Sequence, residues 1–432
     1  MFAERIRAAL VCAAIAFIAQ GASPESGASR DITQELGLIV SQDADLHGIR
    51  TDNPLNGDNW QGKPDWEATM AAELDWYAGY ANRIQLSVNG DMEWREWSGE
   101  YRGDGRESRG GTDLFLDEAL ICVDLHEWGL RLTSGKTTIR QGPTVLFPVV
   151  DFLVKDTKLN DGQNHGAWTT GLSLAAGHAV IEAWISPANS WFRDDYDPPG
   201  ADGDEDPMVL AHAAFESGVH RLGALYYHNG ANSVGCYYSG QISDGLIPYA
   251  EAAVSDGPLV RPFANEWLRS APDGWSLDAT FGASWAPSFA GVTAYVEYRY
   301  RSSGYGDGEW DEIRDGLEGL MSPPPDYPLY YRSCGSIASS LPYFDTPTHS
   351  FGLRLQNSRP IADALDCYVN AFFLAPDGLY LSGELSLSAI DRLRVSIGAT
   401  ALMSLEDRGE VAWWNDAWSV RLAASWTVRA YE

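Results

Sequence analysis

From Trp418 to Val428 every second residue is apolar. Trp418, Val420, Leu422, Ala424, Trp426 and Val428 share one face, and Ser419, Arg421, Ala423, Ser425 and Thr427 share the other. A period of 2 is the signature of a strand with one apolar and one polar side. The same alternation sets Trp66, Ala68, Met70, Ala72, Leu74 and Trp76 against Glu67, Thr69, Glu73 and Asp75. It sets Ile84, Leu86 and Val88 against Gln85, Ser87 and Asn89, and Leu393, Val395, Ile397, Ala399 and Ala401 against Arg394, Ser396, Gly398 and Thr400. The clearest pair is Trp275 to Trp285, with Ser276, Asp278 and Thr280 on its polar side, and Val292 to Tyr300, with Thr293, Tyr295, Glu297 and Arg299. Further strands are predicted at 32–40, 167–175, 178–185, 208–215, 219–227, 233–239, 247–253, 365–373 and 379–387, with a hairpin over 113–134 in which Trp128, Leu130 and Leu132 face one way. Tight connections at Ala176-Gly177, Ser217-Gly218 and Asn229-Gly230 alternate with longer polar stretches such as Gly99 to Gly111.

This rhythm predicts an all-β fold, a transmembrane antiparallel β-barrel of roughly 16–18 strands with short periplasmic turns and long extracellular loops. A secreted β-sandwich also alternates. Here, however, the apolar faces run through most of the chain without dividing into separate domains, and the opposite faces carry Arg, Asp and Glu deep within strands. A wet lumen tolerates that; a packed core does not. The N-terminus carries Arg5 and Arg7, then an apolar run from Ala8 to Ile18, then Ala19-Gln20-Gly21. That order is a secretory signal's, too short to span a bilayer as a helix. Residues 1–21 are thus expected to be a signal peptide and 22–432 a single barrel domain.

Acidic residues outnumber basic ones, 60 to 30. The imbalance disfavours nucleic acid as a partner and fits acidic loops or a lumen that tolerates cations. Cys12 lies in the signal; Cys122, Cys236, Cys334 and Cys367 show no metal-like spacing and read as small hydrophobes, with one disulfide left open. The acidic run Asp194, Asp195, Asp197, Asp202, Asp204, Glu205 and Asp206 has the hard oxygen ligands a calcium ion takes, with Gly200 and Gly203 for turns, but lacks the spacing of a calcium loop. A solvated extracellular loop is the default there, weak calcium binding the alternative, and no other cofactor is implied. Residues 301–347 form the longest connection, with a short helix expected at Glu312 to Met321 and Tyr327, Tyr330, Tyr331 and Tyr343 beyond it; folding into the lumen, forming a lid and standing outside the cell are all open. Neither a Gly-x-Ser-x-Gly elbow nor an HExxH pair occurs, and His126, His178, His212, His220 and His228 are scattered, so no enzyme is expected.

The segment Ser134-Gly135-Lys136-Thr137-Thr138-Ile139-Arg140-Gln141-Gly142, continuing to Phe147-Pro148-Val149-Val150-Asp151, resembles a pattern of outer-membrane porin and exporter barrels. There a strand ending in Gly-(Arg/Lys)-Gln leads into Trp-Gly and an Asn-Pro-x-Asp-like turn. Gly135-Lys136, Pro148 and Asp151 fit; Thr137 and Gln141 depart from it. The resemblance implies a segment that enters or lines the lumen, with Lys136, Arg140 and Asp151 facing the pore.

The polar faces add Glu67, Glu73, Asp75, Arg131, Asp278, Glu297, Arg299, Glu384, Arg392, Arg394 and Arg421 as pore-lining candidates. Acidic positions gather in the second strand and near the middle, basic ones in the last two strands. Opposite walls would then carry opposite charge, a field that orients dipolar solutes. The expected function is a porin-like diffusion channel for small hydrophilic solutes in a Gram-negative outer membrane, monomeric or homotrimeric, against lipid and lipopolysaccharide. The rivals are an occluded structural or surface-interaction barrel and a channel for a charged oligosaccharide or polymer.

Overall fold

A computed structural model describes residues 32–49, 66–80, 83–97, 110–151, 167–186, 207–229, 231–257, 274–288, 291–320, 330, 334, 347–357, 364–375, 378–390, 392–404 and 416–431. The first nine strands are β1 (Ile32–Ile49), β2 (Trp66–Tyr80), β3 (Ile84–Trp97), β4 (Gly110–Leu125), β5 (Leu130–Thr137), β6 (Ala167–Ala176), β7 (Ala179–Ser186), β8 (Met208–Ser217) and β9 (His220–Asn229). The other nine are β10 (Ala231–Gly240), β11 (Leu246–Ser255), β12 (Ser276–Trp285), β13 (Val292–Arg301), β14 (His349–Asn357), β15 (Leu365–Leu374), β16 (Gly378–Ile390), β17 (Leu393–Ser404) and β18 (Asp416–Tyr431). Each pairs antiparallel with its chain neighbours and β18 pairs with β1, so the 18-stranded sheet closes without an edge. Closure satisfies every strand's backbone on both sides, which an open sheet cannot do in hydrocarbon.

The alternation decides which face points where. Ile181, Phe215, Leu222, Val234, Phe281, Val296, Val369, Ile397 and Leu422 are exposed on the outside. Between them, Thr280, Glu297, Arg299 and Asn370 are buried inside. The outer face is therefore the apolar one, the reverse of a water-soluble barrel.

Strand lengths are uneven. β18, β1, β2, β3 and β4 have 16, 18, 15, 14 and 16 residues, whereas β5 to β15 have 8 to 10. Short turns mark one end of the barrel and longer connections the other. At the long-connection end, β9 and β10 are joined by one residue and β15 and β16 by three.

Strand β14, where Phe351, Leu353 and Leu355 alternate with Ser350, Gly352, Arg354 and Gln356, was not foreseen from the sequence; it is needed for the eighteenth position. Trp128 lies not in a strand but in a 3-10 turn between β4 and β5, 70% exposed. Helix α1 (Asp307–Leu320) begins earlier than expected and buries Trp310, Ile313 and Leu317 along one side. The four described cysteines are free thiols. The signal segment, the acidic run 194–206 and most of 321–346 lie outside the described residues.

Candidate functional site

Residues 138–151, between β5 and β6, form no regular structure and lie inside the barrel; Thr144, Leu146, Phe147 and Val150 have no exposed surface. This strap could not join the sheet, because Pro143 and Pro148 lack the N–H a ladder requires. Its donors go to two carboxylates on the wall instead. Glu251 on β11 accepts from the Thr144 N–H at 2.8 Å, the Thr144 hydroxyl at 2.6 Å, the Val149 N–H at 2.8 Å and the Val150 N–H at 3.2 Å. Glu297 on β13 accepts from the N–H groups of Val145, Leu146 and Phe147 at 2.7, 2.9 and 2.8 Å, and from the Tyr249 hydroxyl at 2.7 Å. Every backbone donor from 144 to 150 thus has a charged acceptor, as burial demands. Thr280 on β12 donates its hydroxyl to the Phe147 carbonyl at 2.9 Å.

Two apolar clusters seat the strap on either side of these pins. Ile139, Val149 and Val150 pack with Leu210, Leu225, Tyr227, Tyr237 and Ala253 on β8 to β11. Leu146 and Phe147 pack with Phe372, Leu374 and Leu402 on β15 and β17, with Phe147 edge-on to Phe372 at 5.6 Å. Gly352 makes the close approach possible, since a Cβ there would stand 2.8 Å from Leu146 and 2.9 Å from Phe147. At the root, Gln141 donates to Glu182 at 3.3 Å; the same carboxylate meets His212 Nδ1 at 2.9 Å, and His212 Nε2 meets the Tyr237 hydroxyl at 3.0 Å.

The pore-lining candidates divide accordingly. Asp151 closes the strap on itself, accepting from the Gln141 and Gly142 N–H groups at 2.6 and 3.1 Å. Arg140 is the exposed side chain of the strap. Lys136 follows Gly135, whose φ of 136° breaks the strand's alternation, and is 2% exposed; on the outer face it would be open, so it turns inward. Glu297 is spent on the strap. Asp278 and Arg299 are buried together, 2.6 Å apart, with Arg301 on the same carboxylate at 2.8 Å, so none of the three is offered to a passing solute. Arg392 stands in the turn between β16 and β17 rather than on the wall.

The remaining candidates form no bond with the strap among the described residues. Glu67, Glu73 and Asp75 on β2 face the lumen, with Asn89 donating to both Glu73 and Asp75. Arg131 on β5 meets Asp124 at 3.0 Å, Arg394 on β17 lies 3.9 Å from Glu384 on β16, and Arg421 on β18 pairs with Asp43 on β1. The expected opposition of acidic and basic walls does not hold in this form. Closure places β18 beside β1 and only one strand from β2, so the basic sector abuts the acidic one. What does lie across from β2 and β3 is the strap-bearing wall of β11 and β12, nine strands away. Glu251, Glu182 and Asp43 were missed by sequence reasoning, and His212 was noted only as one of five scattered histidines; each is a polar residue at an inward position of an alternating strand, which is the signal that would have found them.

No family model matches the sequence, and no curated protein does. Solved structures do. Pseudomonas aeruginosa OpdK with vanillate aligns over 92% of this chain and 99% of its own, at 13% identity and a TM-score of 0.53. Acinetobacter baumannii OccAB4 aligns over 93% and 99%, at 10% identity and 0.55. The P. aeruginosa outer membrane protein OpdK in a further structure covers 92% and 99%, at 10% identity and 0.50. The shared property is the fold. At such identities the likeness reaches the fold and says nothing of the charged walls above.

Proposed function

We propose that this chain is an outer-membrane channel through which small hydrophilic solutes diffuse, its bore narrowed by the 138–151 strap. Residues 1–21 act as a signal peptide, and the remainder is one barrel domain. The observation that carries the reading is the strap pinned by Glu251 and Glu297 to one side of a closed barrel, opposite a charged wall. A barrel meant only as scaffold has no need of a segment fastened at this depth by paired carboxylates. An apolar outer face without an edge supports the membrane location, and the likeness to an outer membrane protein supports it further. The acidic residues of β1 to β3 favour cations, while vanillate, held by OpdK, belongs among the test solutes.

Reconstitution into planar bilayers tests this. Discrete conductance steps are expected, with a cation preference at about 0.1 M salt that fades towards 1 M as the Debye length falls from about 10 Å to about 3 Å. Folded, heat-modifiable protein that gives no steps at any salt would sink the channel reading in favour of an occluded barrel.

A further inference from the structure

The strap is fastened in two different ways. Its middle is tied to Glu251 and Glu297 by backbone N–H groups, seven donors counting the Thr144 hydroxyl. Its root is tied to the wall through one side chain, Gln141, whose amide donates to Glu182 Oε2 at 3.3 Å, beyond the usual range for such a bond. The same oxygen takes His212 Nδ1 at 2.9 Å. One carboxylate oxygen therefore serves both the strap and a histidine.

A carboxylate only accepts, so Nδ1 of His212 carries a hydrogen. Nε2 stands 3.0 Å from the Tyr237 hydroxyl, and in the neutral ring it accepts from that O–H. A second proton, on Nε2, meets the hydroxyl hydrogen and forces it to turn away. It also sets a full positive charge beside Glu182. Hydrogen bonds between charged groups are shorter and about twice as strong as neutral ones, so the carboxylate is drawn to His212 and the more distant Gln141 amide loses it. His212 is 3% exposed, but Glu182 keeps 21% of its side chain open, which gives a proton its way in. The remaining groups around the ring are already engaged. Arg221 on β9 lies 5.4 Å from the Tyr237 ring and pairs with Glu216 on β8 at 3.3 Å, and Ser173 on β6 bonds Glu182. Asp151 holds the Gln141 and Gly142 N–H groups, and Glu251 on β11 is turned to the strap.

We propose that His212 is a positioning residue of the strap: neutral, it holds Glu182 where Gln141 can reach it, and protonated, it withdraws that carboxylate, so that acid loosens the strap's root and unsteadies the bore. This rests on the channel reading above. Histidine is the side chain that ordinarily changes charge between pH 8 and pH 5, which sets the range to be explored.

Single-channel records of the whole chain at pH 8 and pH 5 provide the test. The steps should be steady at pH 8 and flicker about fivefold more often at pH 5, the ratio by which a charged bond outweighs a neutral one. H212N sets an amide N–H near the place of Nδ1 but takes up no proton. Its steps should stay steady at both pH values, although the other histidines, His47 on β1 among them, are retained. Gln141→Leu cuts the link on the strap and leaves the wall untouched, so it should flicker alike at both pH values and decides the matter even where H212N fails to fold. An unaltered chain that stays steady at pH 5 would overturn the proposal. So would a full acid response in H212N, or a Q141L channel that behaves as the unaltered one does. Folded protein without steps at either pH would instead refute the channel reading.

Discussion

Replacing Glu297 and Glu251 by glutamine tests whether the strap is held as described. A glutamine keeps one oxygen and turns an N–H₂ towards donors. At position 297 this orphans either the pair on Oε2, the Leu146 and Phe147 N–H groups, or the pair on Oε1, the Val145 N–H and the Tyr249 hydroxyl. Each buried donor left without an acceptor costs about 1–3 kcal/mol, so a single substitution weakens the strap by about 2–6 kcal/mol. Burial of Leu146 and Phe147 opposes this with about 1.5–3 kcal/mol each, a comparable sum. E297Q alone should therefore leave the strap seated but loosened. The double variant E251Q/E297Q loses about twice as much and should release it. Single-channel recordings should show flickering steps for E297Q and a stable, larger conductance for the double variant, with new protease cleavage inside 138–151. Heat-modifiability confirms that the barrel itself remains folded. A folded double variant with unchanged conductance and no new cleavage would refute the reasoning.

Four further outcomes can be measured on the same protein. Val395→Arg puts charge on the outer face of β17 and should cost about 2–4 kcal/mol in urea titrations in bilayers, whereas Ser396→Arg faces the lumen and should be tolerated; equal losses would mean the faces are misassigned. Gly352→Val drives a side chain into Leu146 and Phe147 and should raise conductance without any change of charge, while Gly135→Ala, whose Cβ would meet the Ala119 carbonyl at 2.0 Å, should reduce the folded yield. Burial pushes the Cys334 thiol up to about 11, so a water-soluble maleimide at pH 8 should leave it unlabelled in folded protein and label it after denaturation.

The barrel was legible because alternation is a local property. Trp275 to Trp285 and Val292 to Tyr300 announce a hairpin from their own residues, and their register bears it out from Asp278 to Trp285. Strand β14 alternates as cleanly as its neighbours, but it is only nine residues long and follows directly on a proline-rich stretch that reads as loop, and so it escaped. The strap was visible only by resemblance, since its own residues show no period. Its anchors lie about a hundred or more positions further on, and a glutamate at an inward strand position looks the same whether it meets water or backbone N–H groups. The sharing of Asp278 by two arginines was hidden for the same reason: sequence shows that the three face inward, but not whether they face the bore or one another. Charge opposition failed on closure, a global property that brings β18 round to β1.

Uneven strand length gives the wall uneven mechanical strength. The seam that joins the two ends of the chain, β1 with β18, runs through 15 register pairs, whereas β10 with β11, β14 with β15 and β7 with β8 have 7, 7 and 8. Under load such a cylinder does not open at its seam, the place where the chain begins and ends, but along the short ladders of its far side. That is the side across which the strap is fastened, tied by carboxylates to β11 and β13 and wedged by apolar side chains against β8 to β11, β15 and β17. The part that narrows the bore is at the same time a brace, and a pore widened by cutting it is also a weaker tube.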